Sequence, residues 1–71
     1  MSVKHEFKII GKPLHPNKRV VVFELCQEFI EKNEPIENDD WKVLREVSGI
    51  IELRNKHTLE FFECKIIYIH L

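Results

Sequence analysis

Two cations in the second half of this 71-residue chain have the type and placement to act together. Arg54 and Lys65 fall on neighbouring predicted strands, so a sheet can bring both side chains to one anion. The alternative is structural. Glu52 and Glu63 share the faces of these cations and can neutralise them through salt bridges.

Three further residues carry groups that can transfer protons or stack. His57 lies in a predicted polar turn, Asn55–Thr58. Tyr68 and His70 are two residues apart on the predicted final strand, so they face the same way. Together they can form an acid/base pair or a stacking platform. An exposed turn residue and an amphipathic strand end are the structural alternatives, and the sequence leaves both open.

Charge is distributed unevenly along the chain, although its formal net value is only −1. Residues 1–23 hold five cations and one acid, whereas residues 24–46 hold eight acids and three cations. A globally basic nucleic-acid binder is disfavoured, because phosphate affinity grows with the number of neutralised charges. A local basic surface is one hypothesis, and a solvated edge that blocks aggregation is the other. The candidate nucleic-acid-binding residues are Lys4, Lys8, Lys12, Lys18 and Arg19.

Motifs for cofactors, metals and nucleophilic catalysis are missing from the sequence. It has no Gly-rich phosphate loop, no HExxH pattern and no nucleophile elbow. Cys26 and Cys64 lack the short spacing of metal ligands, so we expect reduced core residues, no metal and no cofactor. The longest apolar runs, Val20–Phe23 and Ile66–Ile69, have four residues. Such runs are too short to span a membrane, and with no visible signal peptide we expect a cytoplasmic protein.

The candidate residues must be positioned by a single domain over residues 1–71, because a chain of this length cannot form two cores. Alternating apolar residues over positions 3–9 predict a half-buried strand. Apolar residues at helical spacing predict a helix over Lys18–Lys32, with Asn17 as its N-cap. The β-branched run Arg19–Phe23 leaves the start of this element open between helix and strand.

A short second helix and two strands are predicted for the second half. The signals for the helix are Asn38 or Asp39 as the cap, an apolar stripe of Trp41, Leu44 and Val47, and Gly49 as the stop. Strands at Ile50–Asn55 and Leu59–Leu71 complete the order β-α-α-β-β. We therefore expect an α+β fold with two helices packed on one face of a small antiparallel sheet. Because the last strand is apolar on both faces, it is either central or completed by a partner, including a second copy in a homodimer.

Part of this region resembles a known family. The stretch Trp41–Arg54 reads WKVLREVSGIIELR and resembles the middle of RelE/ParE/HigB-type toxins, where a short helix runs into a strand. Cys64–Tyr68 is similar to the next strand of that family. The resemblance implies a small toxin of a toxin–antitoxin pair. Many such toxins cleave mRNA in the ribosomal A site without a metal, and some act on gyrase instead.

The resemblance also implies roles for individual residues. Lys65 occupies the position of a family arginine, Tyr68 matches the aromatic residue that closes the same motif, and Arg54 matches the arginine of the ELR motif. A metal-free ribonuclease must stabilise negative charge in its transition state. Lys65, Arg54 and His57 can contribute to that stabilisation.

Three functions follow from these observations. The first is a RelE-like toxin, a metal-independent endoribonuclease that acts on ribosome-bound RNA and has an antitoxin as its protein partner. The second is a non-catalytic small protein of a phage or plasmid that binds and inhibits a host protein. It is favoured because Ile50 and Glu52 stand where RelE has lysines. The third is a nucleic-acid-binding module that uses the basic N-terminal residues.

Overall fold

A computed structural model describes residues 5–68, which form one antiparallel sheet and one helix. In chain order the elements are β1 (His5–Ile10), α1 (Pro16–Lys32), β2 (Ile36–Glu37), β3 (Trp41–Val47), β4 (Ile50–Asn55) and β5 (Phe61–Tyr68). The strands lie in the order β1-β5-β4-β3-β2, and α1 packs on one face. The predicted α+β fold with two helices is therefore wrong, since these residues form a mostly β fold in the order β-α-β-β-β-β.

Helix α1 forms where its apolar spacing predicted a helix, but it starts differently. The segment 19–23 is helical despite its β-branched residues. His15 is the N-cap instead of Asn17, because Nδ1 of His15 accepts a hydrogen bond from the backbone N–H of Asn17 at 3.2 Å. Pro16 occupies the first helical position, where a missing N–H costs nothing. One stripe of the helix is buried against the sheet: Val22, Leu25, Cys26 and Phe29.

The predicted second helix is strand β3, and a β-bulge explains the error. Trp41 and Val43 are buried on the helix side of the sheet, but the pairing with β4 shifts register between Val43 and Arg45. Leu44 is the extra residue of this bulge. Because of this extra residue, the apolar residues of the strand no longer alternate regularly. Those at positions 41, 44 and 47 have the spacing of a helical stripe instead.

The cap and stop signals of that predicted helix belong to two turns. Oδ1 of Asn38 accepts hydrogen bonds from the backbone N–H groups of Asp40 (2.9 Å) and Trp41 (2.7 Å), forming an Asx turn into β3. Ser48 and Gly49 have φ angles of 52° and 80°. Two consecutive positive φ angles suit a two-residue type I′ hairpin, so Gly49 turns β3 into β4 instead of ending a helix.

The core lies between α1 and one face of the sheet, which we call the covered face. Its residues come from the helix and from three strands: Val22, Leu25, Cys26, Phe29, Trp41, Val43, Ile51, Leu53, Phe62, Cys64 and Ile66. Trp41 packs edge-on against Phe62, with ring centroids 5.5 Å apart. The alternation predicted for the last two strands is therefore confirmed, because Ile51 and Leu53 share this face with Phe62 and its neighbours at positions 64 and 66.

Strand β5 is central, in agreement with its apolar residues on both faces. It pairs with β1 along one edge and with β4 along the other. Since both edges are hydrogen-bonded over most of its length, a partner cannot add a strand there. A homodimer through this strand would have to use its outward face. The predicted extension over positions 69–71 lies outside the described residues.

Candidate functional site

The face of the sheet opposite α1, which we call the open face, has no element covering it within residues 5–68. Strand alternation and the pairing register place five cations, four acids and five apolar residues on it. These are Lys8, Lys42, Arg45, Arg54 and Lys65; Glu6, Glu37, Glu52 and Glu63; and Ile10, Val47, Ile50, Phe61 and Ile67. A solvated sheet face needs polar residues, but it does not need this many apolar ones.

Like charges lie directly across from each other at the centre of the open face. Lys8 of β1 is opposite Lys65 of β5, and Glu63 of β5 is opposite Glu52 of β4. Opposed residues have Cβ atoms about 4.5–5.5 Å apart, so like charges there are destabilising. We call these residues the paired charges. They form a cationic row beside an acidic row.

The fold neutralises the paired charges only in part. Nε of Arg45 donates to Oε1 of Glu52 at 2.7 Å, and this contact raises the pKa of the arginine. Among residues 5–68, no ion pair reaches Lys8, Lys65 or Glu63. The charge of both lysines and of one glutamate therefore stays available to a ligand.

An apolar corner lies beside the cationic row, at the end where the β3–β4 hairpin turns. Ile50 is directly opposite Val47, and Ile67 is one diagonal step from Ile50. Val47 is 47% exposed and Ile67 36%. The corner offers contiguous apolar surface next to unneutralised charge, the combination found at the centre and rim of protein–protein interfaces.

The opposite end of the open face holds a cation on an aromatic ring. The guanidinium carbon of Arg54 lies 4.4 Å from the centroid of the Phe61 ring, and the two residues are direct cross-strand neighbours. Phe61 is 54% exposed, while Nε of Arg54 is buried and has no hydrogen-bond partner among the described residues. This stacking fixes the guanidinium against the sheet.

Arg54 and Lys65 share the open face, as the sequence predicted, but they do not meet. Arg54 is opposite Phe61, and Lys65 lies four residues further along β5. At about 3.4 Å per residue, their Cα positions are offset by about 13–14 Å along the strands. Because the Arg54 guanidinium also lies on the Phe61 ring, the structure does not bring the two cations to one phosphate-sized anion.

The remaining predicted catalytic residues lie at opposite ends of the covered side. His57 follows β4 in an exposed turn, and its Nε2 lies 2.8 Å from Oδ1 of Asp40. This pair borders a shallow, open pocket of about 330 Å³ beside the start of α1. Tyr68 is at the far end of β5, about 24 Å along the strand from Phe61, and its ring is edge-on to His5 at 5.6 Å. His70 lies outside the described residues.

The predicted nucleic-acid-binding residues are divided between two layers. Lys8 is on the open face, whereas Lys18 and Arg19 lie in the first turn of α1, on the other side of the sheet. Nζ of Lys12 lies 2.9 Å from Oε2 of Glu60, so this charge is already partnered. Lys4 lies outside the described residues. Within the described residues, the fold therefore brings together no continuous basic stripe.

Cys26 and Cys64 are buried, which confirms their predicted place in the core, and no disulfide joins them. The adjacent Cys64 side chain and burial raise the pKa of the Cys26 thiol far above its usual range. A thiol that stays protonated is a poor nucleophile. Within the described part of the chain, no group of three metal-binding side chains lies together.

The sequence interpretation missed Lys42, Val47 and the opposition of Glu52 to Glu63. The sequence pattern predicts a helix over Lys42 and Val47, which hides their place on the sheet. The pairing of the two glutamates depends on register, which is set by the hairpin turns and by the covered face. The Ser48–Gly49 dipeptide was the signal that could have corrected the first error.

Residues 5–68 define a class of molecule: a small sheet that a helix covers on one face and that no other described element covers on the second. Comparison of the chain with protein-family models, with curated proteins and with solved structures found no match. No helix within residues 5–68 is long and apolar enough to cross a membrane.

Proposed function

We propose that this protein is a non-catalytic binding protein that holds another protein against its open face. The observation that supports this proposal is the set of paired charges, Lys8 with Lys65 and Glu52 with Glu63, beside an exposed apolar corner. Opposed like charges lower the stability of the sheet. A partner with complementary charges would remove that cost on binding, so the arrangement favours the bound state over the free one.

The chemistry of the partner follows from the arrangement of the open face. A carboxylate over Lys8 and Lys65, a cation over Glu63, and apolar side chains over the corner would each meet their complement. The charge of the open face changes from positive to negative between one cross-strand pair, Lys8 and Lys65, and the next, Glu63 and Glu52. A folded protein surface or an extended peptide can match such a change, because its side chains vary from one position to the next.

A nucleic acid fits the open face less well. Its backbone carries one repeated negative charge, whereas the face holds four acids among its five cations. Each acid near a phosphate subtracts from the neutralisation on which affinity depends. The Arg54–Phe61 stack could accept one base, but Glu63 lies two residues from Phe61 on the same face of β5.

Catalysis by the chain's own groups has weak support. Arg54, Lys65, His57 and Tyr68 lie too far apart to act on one bond, because general acid–base chemistry needs groups within hydrogen-bond reach of the reacting atoms. A cytoplasmic small protein of a phage or plasmid that inhibits a host protein remains the biological setting we propose. The competing hypothesis is the RelE-like ribonuclease acting on ribosome-bound RNA.

Charge reversal at the centre of the face tests the proposal. The full chain is immobilised as wild type, as Lys65→Glu, and as Lys18→Glu, a matched control on α1. Host extract is applied, and retained protein and RNA are quantified. The wild type and Lys18→Glu should retain the same stoichiometric protein, and Lys65→Glu should lose about tenfold or more of it, since it repels the carboxylate that we place there.

Two results would overturn the proposal. One is equal retention of the protein by Lys65→Glu and the wild type, which would place binding elsewhere. The other is cleavage of ribosome-bound mRNA by the wild type that is lost in Lys65→Ala and in His57→Ala, with the fold intact by circular dichroism. That second result would support the ribonuclease.

A further inference from the structure

We propose that two copies of this chain pair through the outer edges of their β1 strands, forming one continuous ten-stranded antiparallel sheet. Strand β1 is hydrogen-bonded to β5 along one edge. Within residues 5–68, no strand pairs with its other edge. An edge of this kind presents a row of backbone donors and acceptors that a second strand can use.

The backbone of β1 has no irregularity that would block pairing, and its charged residues, Glu6 and Lys8, oppose pairing only where like charges meet. Its register with β5 runs without interruption from His5 to Ile10, so no bulge twists it away, and the strand contains no proline. The other side of the sheet is different. Strand β2 covers β3 only at two residues, Pro35 precedes it, and β3 carries the bulge at Leu44. Only one of the two edges is thus regular over a full strand.

The sequence of β1 is complementary to itself in one antiparallel register. With Phe7 on the two-fold axis, Glu6 of each copy lies opposite Lys8 of the other, and both contacts are on the open face. His5 of each copy then lies opposite Ile9 of the other on the covered side. Phe7 itself is held in place by stacking on Phe23 of α1, with centroids 5.9 Å apart.

The neighbouring registers lack this complementarity. An axis at Glu6 places that glutamate against its own copy, and an axis at Lys8 places two lysines together. Both alternatives keep the faces aligned but oppose like charges, which is destabilising. The charge pattern therefore favours the Phe7 register over its two neighbours as well as favouring the pairing.

Pairing through β1 would also reduce the charge repulsion between Lys8 and Lys65. Lys8 has Lys65 as its cross-strand neighbour on one side. In the dimer, Glu6 of the second copy would be its neighbour on the other side, giving the order acid, Lys8, Lys65 across three strands. Both Glu6 and Lys8 are exposed, and neither has an ion pair among the described residues. The second copy would supply that pair.

The two-fold axis is perpendicular to the sheet, so both helices would lie on the same side. The two open faces would then form one surface of twice the width. This inference concerns an edge, and it does not depend on the proposed function of the open face. A dimer that binds no partner protein would support this inference and contradict the proposed function. A monomer that binds a partner would do the reverse.

Complementary charge variants test the register. Sedimentation velocity of the full chain over a wide concentration range should show a monomer–dimer equilibrium for the wild type. Glu6→Lys and Lys8→Glu should each raise the dimer dissociation constant about tenfold or more, because each places like charges in both contacts. An equimolar mixture of Glu6→Lys and Lys8→Glu should form a heterodimer. At positions 6 and 8 the first variant carries two cations and the second two acids, so opposite charges face each other in both contacts. The double variant Glu6→Lys/Lys8→Glu should restore the homodimer.

Lys42→Glu is the matched control for Lys8→Glu, because it makes the same charge change on β3, far from the β1 edge. It should leave the dissociation constant of the dimer within about twofold of the wild-type value. Circular dichroism and Trp41 fluorescence confirm the fold of each variant. A wild type that stays monomeric at every concentration would overturn the inference. So would a dimer that is unaffected by the single reversals, because it would use another surface.

Discussion

The two faces of this sheet are built from the same strands and obey different rules. On the covered face, Val43, Ile51, Leu53 and Cys64 are completely buried under α1, and no charged residue is buried among them. On the open face, lysine opposes lysine and glutamate opposes glutamate. The contrast teaches that folding stability accounts for the first face only. The second holds an arrangement that a sheet selected for stability alone would lack, and this is why we assign function to it.

The largest effect on stability is expected when one residue from each face of β4 is replaced by alanine. Leu53→Ala on the covered face removes a fully buried side chain, so we expect the free energy of unfolding to fall by about 2–5 kcal/mol. Ile50→Ala on the open face, three residues away, should cost less than about 1 kcal/mol, since its side chain is partly solvated. Urea denaturation followed by Trp41 fluorescence measures both. Equal costs would mean that something also buries the open face in solution.

A charge change at the centre of the open face should raise stability while it weakens binding. Lys65→Glu replaces a lysine–lysine opposition with a lysine–glutamate one, so we expect a gain of up to about 1 kcal/mol in the free energy of unfolding. The neighbouring Glu63 limits the gain. Lys65→Met removes the repulsion without adding attraction and should give a smaller gain. A clear loss of stability in both variants would show that Lys65 has a stabilising contact that the paired charges do not predict.

The contrast between the faces also explains which parts of the fold were predictable. Burial on the covered face leaves a periodic signal in the sequence, and this signal correctly indicated α1, β1 and β4. The apolar residues on both faces of β5 left two alternatives open, a central strand or one completed by a partner, and the structure shows the first. The bulge at Leu44 broke the period of β3, and local spacing then favoured a helix. Tertiary pairing decides such a segment, because Trp41 and Val43 are buried only when β3 lies beside β4.

The candidate site was less predictable than the fold, for a physical reason. Alternation alone placed Glu52 and Arg54 on one face of their strand and Glu63 and Lys65 on one face of theirs. Which of them would be opposed depends on the lengths of the turns between strands. A register shift of two residues between β4 and β5 keeps the same side chains on each face but gives every charge on β5 a different partner on β4.

The aromatic end of the open face should respond to a change more weakly than its centre. Phe61→Leu keeps apolar area but removes the ring beneath the Arg54 guanidinium, so we expect a loss of about 0.5–1 kcal/mol in the free energy of unfolding. The same substitution in an Arg54→Met background should cost clearly less, because the cation is gone. Urea denaturation of the four proteins forms a double-mutant cycle. A coupling energy of zero would show that the stacking contributes no stability.

The smallest expected effect is the pH dependence of two ion pairs at the rim of the sheet. Contact with Lys12 lowers the pKa of Glu60, and contact with Lys56 lowers the pKa of Glu37, each from an ordinary value of 4.5. A lowered folded-state pKa means that the unfolded chain binds protons more readily. These contacts therefore stabilise the fold above pH 4.5, and their contribution is lost as the pH falls below 4.5 through the folded-state values.

Acid titration of stability tests this assignment. Lys12→Met should reduce the part of the pH dependence that comes from Glu60, because Lys12 is the largest of the contacts that lower its pKa. Arg19→Met, an equal loss of charge on α1, should leave that part in place. The urea midpoint measured between about pH 6 and pH 3 reports the difference, which should be small because all four rim side chains are exposed to solvent. A steep acid transition that Lys12→Met does not change would contradict this assignment. The carboxylates responsible would then lie elsewhere on the sheet, and the paired charges of the open face would be tested next.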